Sequence, residues 1–341
     1  MKNNLLFLIL VIYLFSPITY IEAQEEEVKF ENNGIVLSGT IHHPPNLNIK
    51  QHPAIILIHG SGGESRDGTC SLYKKNAKVF NDLGFIVLTY DKRGVGNSTG
   101  DWRSASFDTL ATDVIRAIDY LKSRTDVNKD NICLWGVSQA GWIMAKVNTL
   151  SNDIKCNIMV GAAGAGVTVS EQNSYNIKTL LTDAGASSNA ITKIDTLWTL
   201  FYDLISNRNE STIRAYKERY LSITKSFRAY SNFYPPNYRS IDFSKKNQWY
   251  TSLSLDYNPY NDWKNCKAQV LAIFGENDKY TPVKLVSKNL ELALLEAQCD
   301  FKIEVLPQGN HILTEGDFCT TPLRKDYIYI LKKWTNEALN N

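Results

Sequence analysis

Asn131-Ile132-Cys133-Leu134-Trp135-Gly136-Val137-Ser138-Gln139-Ala140-Gly141-Trp142-Ile143 runs from an apolar segment through one serine into a second apolar segment of different period. The first part reads as a buried strand, and Trp142, Ile143, Ala145 and Val147 continue with the spacing of a helix. Strand, sharp turn and helix in that order lift a serine hydroxyl clear of the backbone. The helix that follows directs N–H groups and a positive dipole end toward it. Such a turn needs small residues where strand and helix approach each other. Here they are Gly136 and Ala140, with Gly141 immediately after, so alanine stands where the elbow pattern has its second glycine. Taken alone, the run also fits a glycine-bounded turn with an ordinary serine, and the rest of the chain must decide.

Outward from this stretch, continuous apolar runs recur at Ala54–Ile58, Phe85–Tyr90, Ile158–Ala163 and Val270–Phe274. Runs of this kind are buried on both faces of a parallel sheet. Helical spacing links them, as in Leu110, Val114, Ala117, Ile118 and Leu121, and again near Val283 to Leu295. A last strand at Phe301–Leu306 and a helix near Tyr327 to Ala338 close the series, while Val28–Glu31 and Ile35–Ile41 read as a hairpin at its start. Strands alternating with helices predict an α/β fold with a doubly wound, mostly parallel sheet. Between residues 167 and 256 glycine nearly vanishes, and Ile194, Leu197, Trp198, Phe201, Leu204 and Ile205 mark an amphipathic helix. The expected organisation is a core from 24 to 166, an inserted helical cap from 167 to 256, and the rest of the core from 257 to 341. Most of the insert's aromatic residues, among them Tyr216, Tyr220, Phe227 and Tyr234, are expected to pack it rather than to bind substrate.

With 341 residues the chain is long enough for a sizeable core, and a formal charge of +2 points neither to nucleic acid nor to an anionic membrane surface. Residues 1–23 carry Lys2, an apolar run from Leu5 to Phe15, and a small residue, Ala23, ahead of an acidic stretch. That is the pattern of a signal peptide, so a secreted or periplasmic location is expected. The run falls short of the roughly 20 residues that span a bilayer, so no stable membrane insertion is expected. Six cysteines in an exported chain allow 15 pairings. Cys133 and Cys156, both inside strand-like runs, are read as buried free thiols. No His-Glu-x-x-His or paired Cys-x-x-Cys occurs, and Gly161 to Gly166 lacks the spacing of a dinucleotide fingerprint. No metal and no organic cofactor is therefore expected.

A serine hydroxyl becomes a nucleophile when a histidine, oriented by a carboxylate, takes its proton. In a fold of this type the three follow in the order Ser, Asp or Glu, His. Of five histidines only His311 lies after Ser138, just beyond the last strand. The loop after the preceding strand, Gly275 to Pro282, holds Asp278 as the candidate carboxylate and Glu276 as the alternative. Oxyanion donors are expected from the backbone N–H of Gln139 and from that of Ser61, in the glycine-rich run His59 to Gly63. His59 precedes the serine and is read as structural.

The His59 loop, Asp91-Lys92-Arg93-Gly94-Val95-Gly96-Asn97-Ser98, the Ser138 elbow, the Asp278 loop and Gly309-Asn310-His311 together resemble the α/β-hydrolase superfamily. The resemblance is greatest to bacterial serine esterases near the acyl-CoA thioesterase and bile-acid acyltransferase C-terminal domains, and it covers the core but not the insert. It implies an acyl-enzyme mechanism on a small-molecule acyl substrate, with neither metal nor cofactor, and a structural role for Arg93 in bracing loops near the site. Serine in place of the cysteine common among those relatives favours ester hydrolysis. Thioesterase or peptidase activity on the same residues, and a non-catalytic binding protein of this fold, are the alternatives.

Overall fold

The computed structural model describes residues 25–45, 50–164, 166–241, 254–316 and 321–340; the expected signal segment lies outside them. Strands β1 (Glu25–Asn32) and β2 (Ile35–His42) form a hairpin closed by Asn33 and Gly34, both at positive φ, as the tightest hairpin turns require. β2 runs antiparallel to β4 (Ile86–Tyr90), and from there the sheet is parallel. It continues through β3 (His52–Ile58), β5 (Val127–Val137), β6 (Cys156–Val160), β7 (Gln269–Gly275) and β8 (Phe301–Leu306) in the order β1-β2-β4-β3-β5-β6-β7-β8.

Alternation along each strand feeds two apolar layers. Ala54, Ile56 and Ile58 of β3 enter one layer, and Ile55 and Leu57 enter the other. The first layer is completed by α2 (Phe107–Ser123), α3 (Ala140–Leu150), the short α7 (Tyr260–Trp263) and α8 (Val283–Ala297). The second is completed by α1 (Leu72–Asp82) and α9 (Lys325–Asn340). Strands covered on both faces can be apolar throughout, which is why these runs read continuously in the sequence.

Between β6 and β7 lie α4 (Val169–Asp183), α5 (Ser188–Ser206) and α6 (Glu210–Ser226). Each begins at a side-chain cap, Thr168, Ser187 and Asn209, that accepts an otherwise unpartnered N–H of the first turn. They share an apolar cluster of their own, built on Leu181, Ile194, Leu197, Phe201 and Tyr216, with Tyr220, Phe227 and Tyr234 packed against it. The insert's aromatic residues thus hold its helices together.

One expectation is corrected. Cys133 and Cys156 are not free thiols but a disulfide, with Cα atoms 4.6 Å apart. They stand opposite each other in the β5–β6 register, a relation that neither residue's local sequence encodes. Cys70 is also disulfide-bonded, whereas Cys266 and Cys299 are free. Among the described residues no helix is long and apolar enough to cross a membrane.

Candidate active site

Ser138 closes β5 with φ +54°, the left-handed region that a non-glycine residue enters at a cost of about 1–3 kcal/mol. Three backbone bonds hold it there. Its N–H donates to Val160 (3.3 Å), and its carbonyl accepts from Gly141 (3.1 Å) and Ala163 (3.0 Å). The alanine of the elbow is accommodated because Gly136 has no side chain: a Cβ on Gly136 would lie 2.5 Å from that of Ala140. The closest backbone approach falls one residue later, where a Cβ on Gly141 would lie 1.8 Å from the Ala163 carbonyl oxygen. The glycine this turn cannot lose is therefore 141, not 140.

Asp278 and His311 come together at the ends of β7 and β8. His311 Nδ1–H donates to Asp278 Oδ2 at 2.8 Å, leaving Nε2 for other work. The other carboxylate oxygen accepts the N–H groups of Tyr280 (2.7 Å) and Thr281 (2.9 Å), so the acid is held at both ends and is only 3% exposed. Tyr175 of α4 donates its hydroxyl to the Asp278 carbonyl at 3.2 Å, a direct contact from the insert. Glu276 is turned away and accepts the N–H of Gln308. Of the two candidate carboxylates, it is Asp278 that contacts His311.

The loop after β3 faces the elbow. His59 is buried, its Nε2–H donating to the Tyr90 carbonyl at 2.6 Å, and burial pushes its pKa down to about 3. It is a neutral structural group, as expected. The Gly60 N–H is committed to the Tyr73 hydroxyl (2.9 Å), whereas the N–H groups of Ser61 and Gln139 have no acceptor among the described residues. Arg93 pairs with Asp113 of α2 inside the protein and braces the loop after β4. Its neighbour Lys92, 2% exposed, donates to the carbonyls of Gly60 (2.9 Å) and Gly62 (3.0 Å) and to Gln139 Oε1 (2.9 Å).

Two cavities meet at Ser138. One, of about 780 Å³, contains His311 and is lined by polar groups including Glu64, Asn277, Lys279 and Asn310. The other, of about 410 Å³, has walls of Trp102, Phe107, Leu110 and Trp142, with Lys92 and Gln139 at its base and Gln172, Asn173 and Asn176 of α4 above. Ser61 and Ser138 border both. Among the described residues no group of three or more His, Cys, Asp or Glu side chains is gathered as a metal ligand set.

Ser61, Ser138 and His311 thus line one cavity, Gln139 lines the cavity beside it, and Asp278 lies behind His311. Nothing in the spacing of the sequence marks Lys92, Tyr73 or Tyr175, because each acts on a loop distant along the chain. The one available sign for Lys92 was a lysine two residues past a fully buried strand.

Comparison with known proteins agrees with this geometry. Residues 49–225, just over half of the chain, match the family described as serine aminopeptidase, S33. An uncharacterized protein of Escherichia coli, YcjY, is 30% identical over 173 residues, which cover 49% of this chain and 55% of that one. The chain spans about half, or less, of the length of the curated relatives it matches. Two solved structures share the fold: Est1E of Butyrivibrio proteoclasticus and the acylaminoacyl peptidase of Pyrococcus horikoshii. Est1E superposes with a TM-score of 0.55 at 14% identity, over 92% of this chain and 99% of its own. The peptidase gives 0.54 at 15% identity, over 92% of this chain and 41% of its own. With sheet order, elbow and matched segment in agreement, the chain has the α/β-hydrolase fold and belongs to the family described as serine aminopeptidase, S33.

Proposed function

We propose that this protein hydrolyses carboxylic esters through an acyl-enzyme intermediate. The observation that carries the reading is the His311–Asp278 bond beside a serine held at positive φ, with Ser138 and His311 bordering one cavity. Ser138 Oγ attacks the acyl carbon while its proton passes to His311 Nε2. The carbonyl electron pair moves onto oxygen, which the Ser61 and Gln139 N–H groups receive. Collapse breaks the bond to the alkoxy group, which leaves as an alcohol with the proton from His311. Water then repeats the sequence on the acyl-enzyme.

Since His311 must protonate the leaving group, the cavity containing it takes the alcohol, and the aromatic-walled cavity takes the acyl chain. This assignment favours an ester over the substrate of an aminopeptidase. An aminopeptidase must neutralise the substrate's α-ammonium on the acyl side. Among the described residues lining that cavity none is a carboxylate, and the one charged group is the cation Lys92. On the leaving-group side Lys279 is already paired with Asp183, so among the described residues lining that cavity no cluster of free cations awaits a polyphosphate thiol. Helices α4 to α6 serve as the cap, reaching the site through Tyr175.

The Cys133–Cys156 bridge supports the export expected from residues 1–23, since structural disulfides persist in oxidising compartments. The test is a set of esters, thioesters and amides sharing one aryl-alkanoyl group. Ester turnover that disappears in Ser138→Ala is expected. Hydrolysis of the amide alone would overturn the reading, as would failure of a fluorophosphonate to label Ser138.

A further inference from the structure

We infer that Lys92 is a positioning residue of the oxyanion hole, holding and polarising the peptide that supplies the Ser61 N–H and tying that loop to Gln139. The inference rests on the esterase reading above and concerns the same site. The Gly60 carbonyl and the Ser61 N–H belong to one planar trans peptide, so fixing one edge fixes the other. Lys92 Nζ fixes the carbonyl edge at 2.9 Å and repeats the grip two peptides further on, at the Gly62 carbonyl. Its third donor goes to the side chain of Gln139, whose backbone supplies the second N–H of the hole. One ammonium therefore spans both halves of a site whose parts lie 78 residues apart along the chain.

The bond does more than position. A cation donating to a carbonyl draws electron density across the amide and makes the N–H of the same peptide a stronger donor. The charge also sits in a desolvated place beside the point where negative charge develops, the arrangement that lowers a barrier most. The Lys92 ammonium satisfies these three acceptors with no anion paired beside it. No carboxylate among the described residues forms an ion pair with it, and Glu64 and Asp113 act on it only through space. A buried cation without a paired anion is costly, and what it gains here is its hold on the Gly60–Gly62 loop and on Gln139.

Protonation should therefore matter. The groups around the ammonium are Glu64 on the loop after β3, His59 at the end of β3, Asp113 on α2, and Asp91 and Arg93 on its own strand end. Burial outweighs the two acids and pushes the Lys92 pKa down to about 7. Above that value the neutral amine has two N–H groups for three acceptors, and one contact is lost.

The test uses the full chain and the Lys92→Met variant, with an aryl-alkanoyl ester and a trifluoromethyl ketone of the same acyl group. The ketone accepts the serine oxygen at its carbonyl carbon and forms the oxyanion without a leaving group, so its affinity reports the hole directly. In the variant kcat should fall roughly 100-fold, KM should stay within about threefold, and ketone affinity should fall as kcat does. The alkaline limb of the wild-type profile should vanish with them. Unchanged kcat, or lost kcat with ketone affinity intact, would overturn the inference. Should the variant not fold, wild-type ketone affinity decides: a decline as pH passes from about 7 to about 9 is expected, and a flat profile overturns it. Failure of the esterase reading is seen separately, as ester turnover surviving in Ser138→Ala.

Discussion

Gly161 lies directly beneath His311: a Cβ at position 161 would come within 2.2 Å of the His311 carbonyl oxygen and 3.0 Å of its Nδ1. The residue ends β6 at φ +49°, and its own carbonyl accepts the Thr281 hydroxyl at 2.8 Å, so it cannot swing away. Gly161→Ala should therefore move the imidazole as well as strain the backbone. Misplacement by an ångström is enough to lower kcat roughly 100-fold. Stability should fall by about 1–3 kcal/mol from the backbone strain alone. Parallel measurement of kcat and urea unfolding checks this, and a folded variant with wild-type kcat would mean that the His311 loop has room to retreat.

The two acids of the loop between β7 and α8 should separate cleanly. Asp278→Asn keeps the shape but lets the imidazole take the wrong tautomer, and kcat should fall by roughly 10⁴ with KM nearly unchanged. Among the described residues the Glu276 side chain bonds the Gln308 N–H at the surface, and Glu276→Gln should stay within about twofold of wild type in kcat. A large loss in the Glu276 variant with little in the Asp278 variant would reverse the assignment.

These residues were legible because chemistry here follows chain order. Ser138 and Asp278 stand just past runs buried on both faces, which announce themselves, and His311 follows the more exposed last strand. What lay beyond the sequence was lateral. The Cys133–Cys156 pairing depends on the register of two adjacent parallel strands, which no local pattern encodes. Lys92 gains its meaning only when the loop after β3 folds back across it. The insert's aromatic residues, expected to pack it, lie in or against its own apolar cluster, and the aromatic cavity wall comes from Trp102, Phe107 and Trp142 of the core. Those three read as ordinary helix-facing or loop residues until the fold brings them to one place.

The Cys133–Cys156 bridge closes a segment of 23 residues. Restricting a loop of that size in the unfolded chain is worth roughly 3 kcal/mol. The Cys133→Ala/Cys156→Ala protein should therefore unfold at lower urea concentration by that amount, plus whatever the lost buried sulfur contacts add. Denaturant unfolding of the two proteins under non-reducing conditions is the measurement. Equal midpoints would show that the bridge contributes nothing to stability.

His59 should make stability depend on pH. Its folded pKa, about 3, lies below the value of 6.5 expected in the unfolded chain, because burial disfavours the charged ring. Between those values the unfolded chain binds the extra proton, so the contribution is complete above about pH 6.5 and is lost as pH falls toward 3. The slope for one proton is about 1.4 kcal/mol per pH unit. His42, also shifted down by burial, contributes with the same sign, so the comparison must be with a variant. In His59→Gln the loss of stability between about pH 6.5 and 5 should be shallower than in wild type. Parallel slopes would mean that the ring stays neutral for another reason or is hydrated on protonation.

Gln172 offers the sharpest probe of the acyl cavity. It lies on α4 above the aromatic walls, is 8% exposed, and its Oε1 is buried without a hydrogen-bond partner among the described residues. Keeping a buried acceptor unpaired costs about 1–3 kcal/mol, which a ligand donor could recover. Gln172→Leu, of similar volume, should consequently raise the unfolding midpoint rather than lower it. Turnover should respond selectively. For esters whose aryl-alkanoyl group carries a ring hydroxyl, kcat/KM should fall at least about tenfold, while the unsubstituted ester should be little affected. Equal changes for both substrates would reduce Gln172 to a wall of the cavity, and a lower midpoint would mean that its carbonyl already has a partner in the folded protein. The pairing of higher stability with narrower loss of turnover separates a residue kept for its substrate from one kept for its fold.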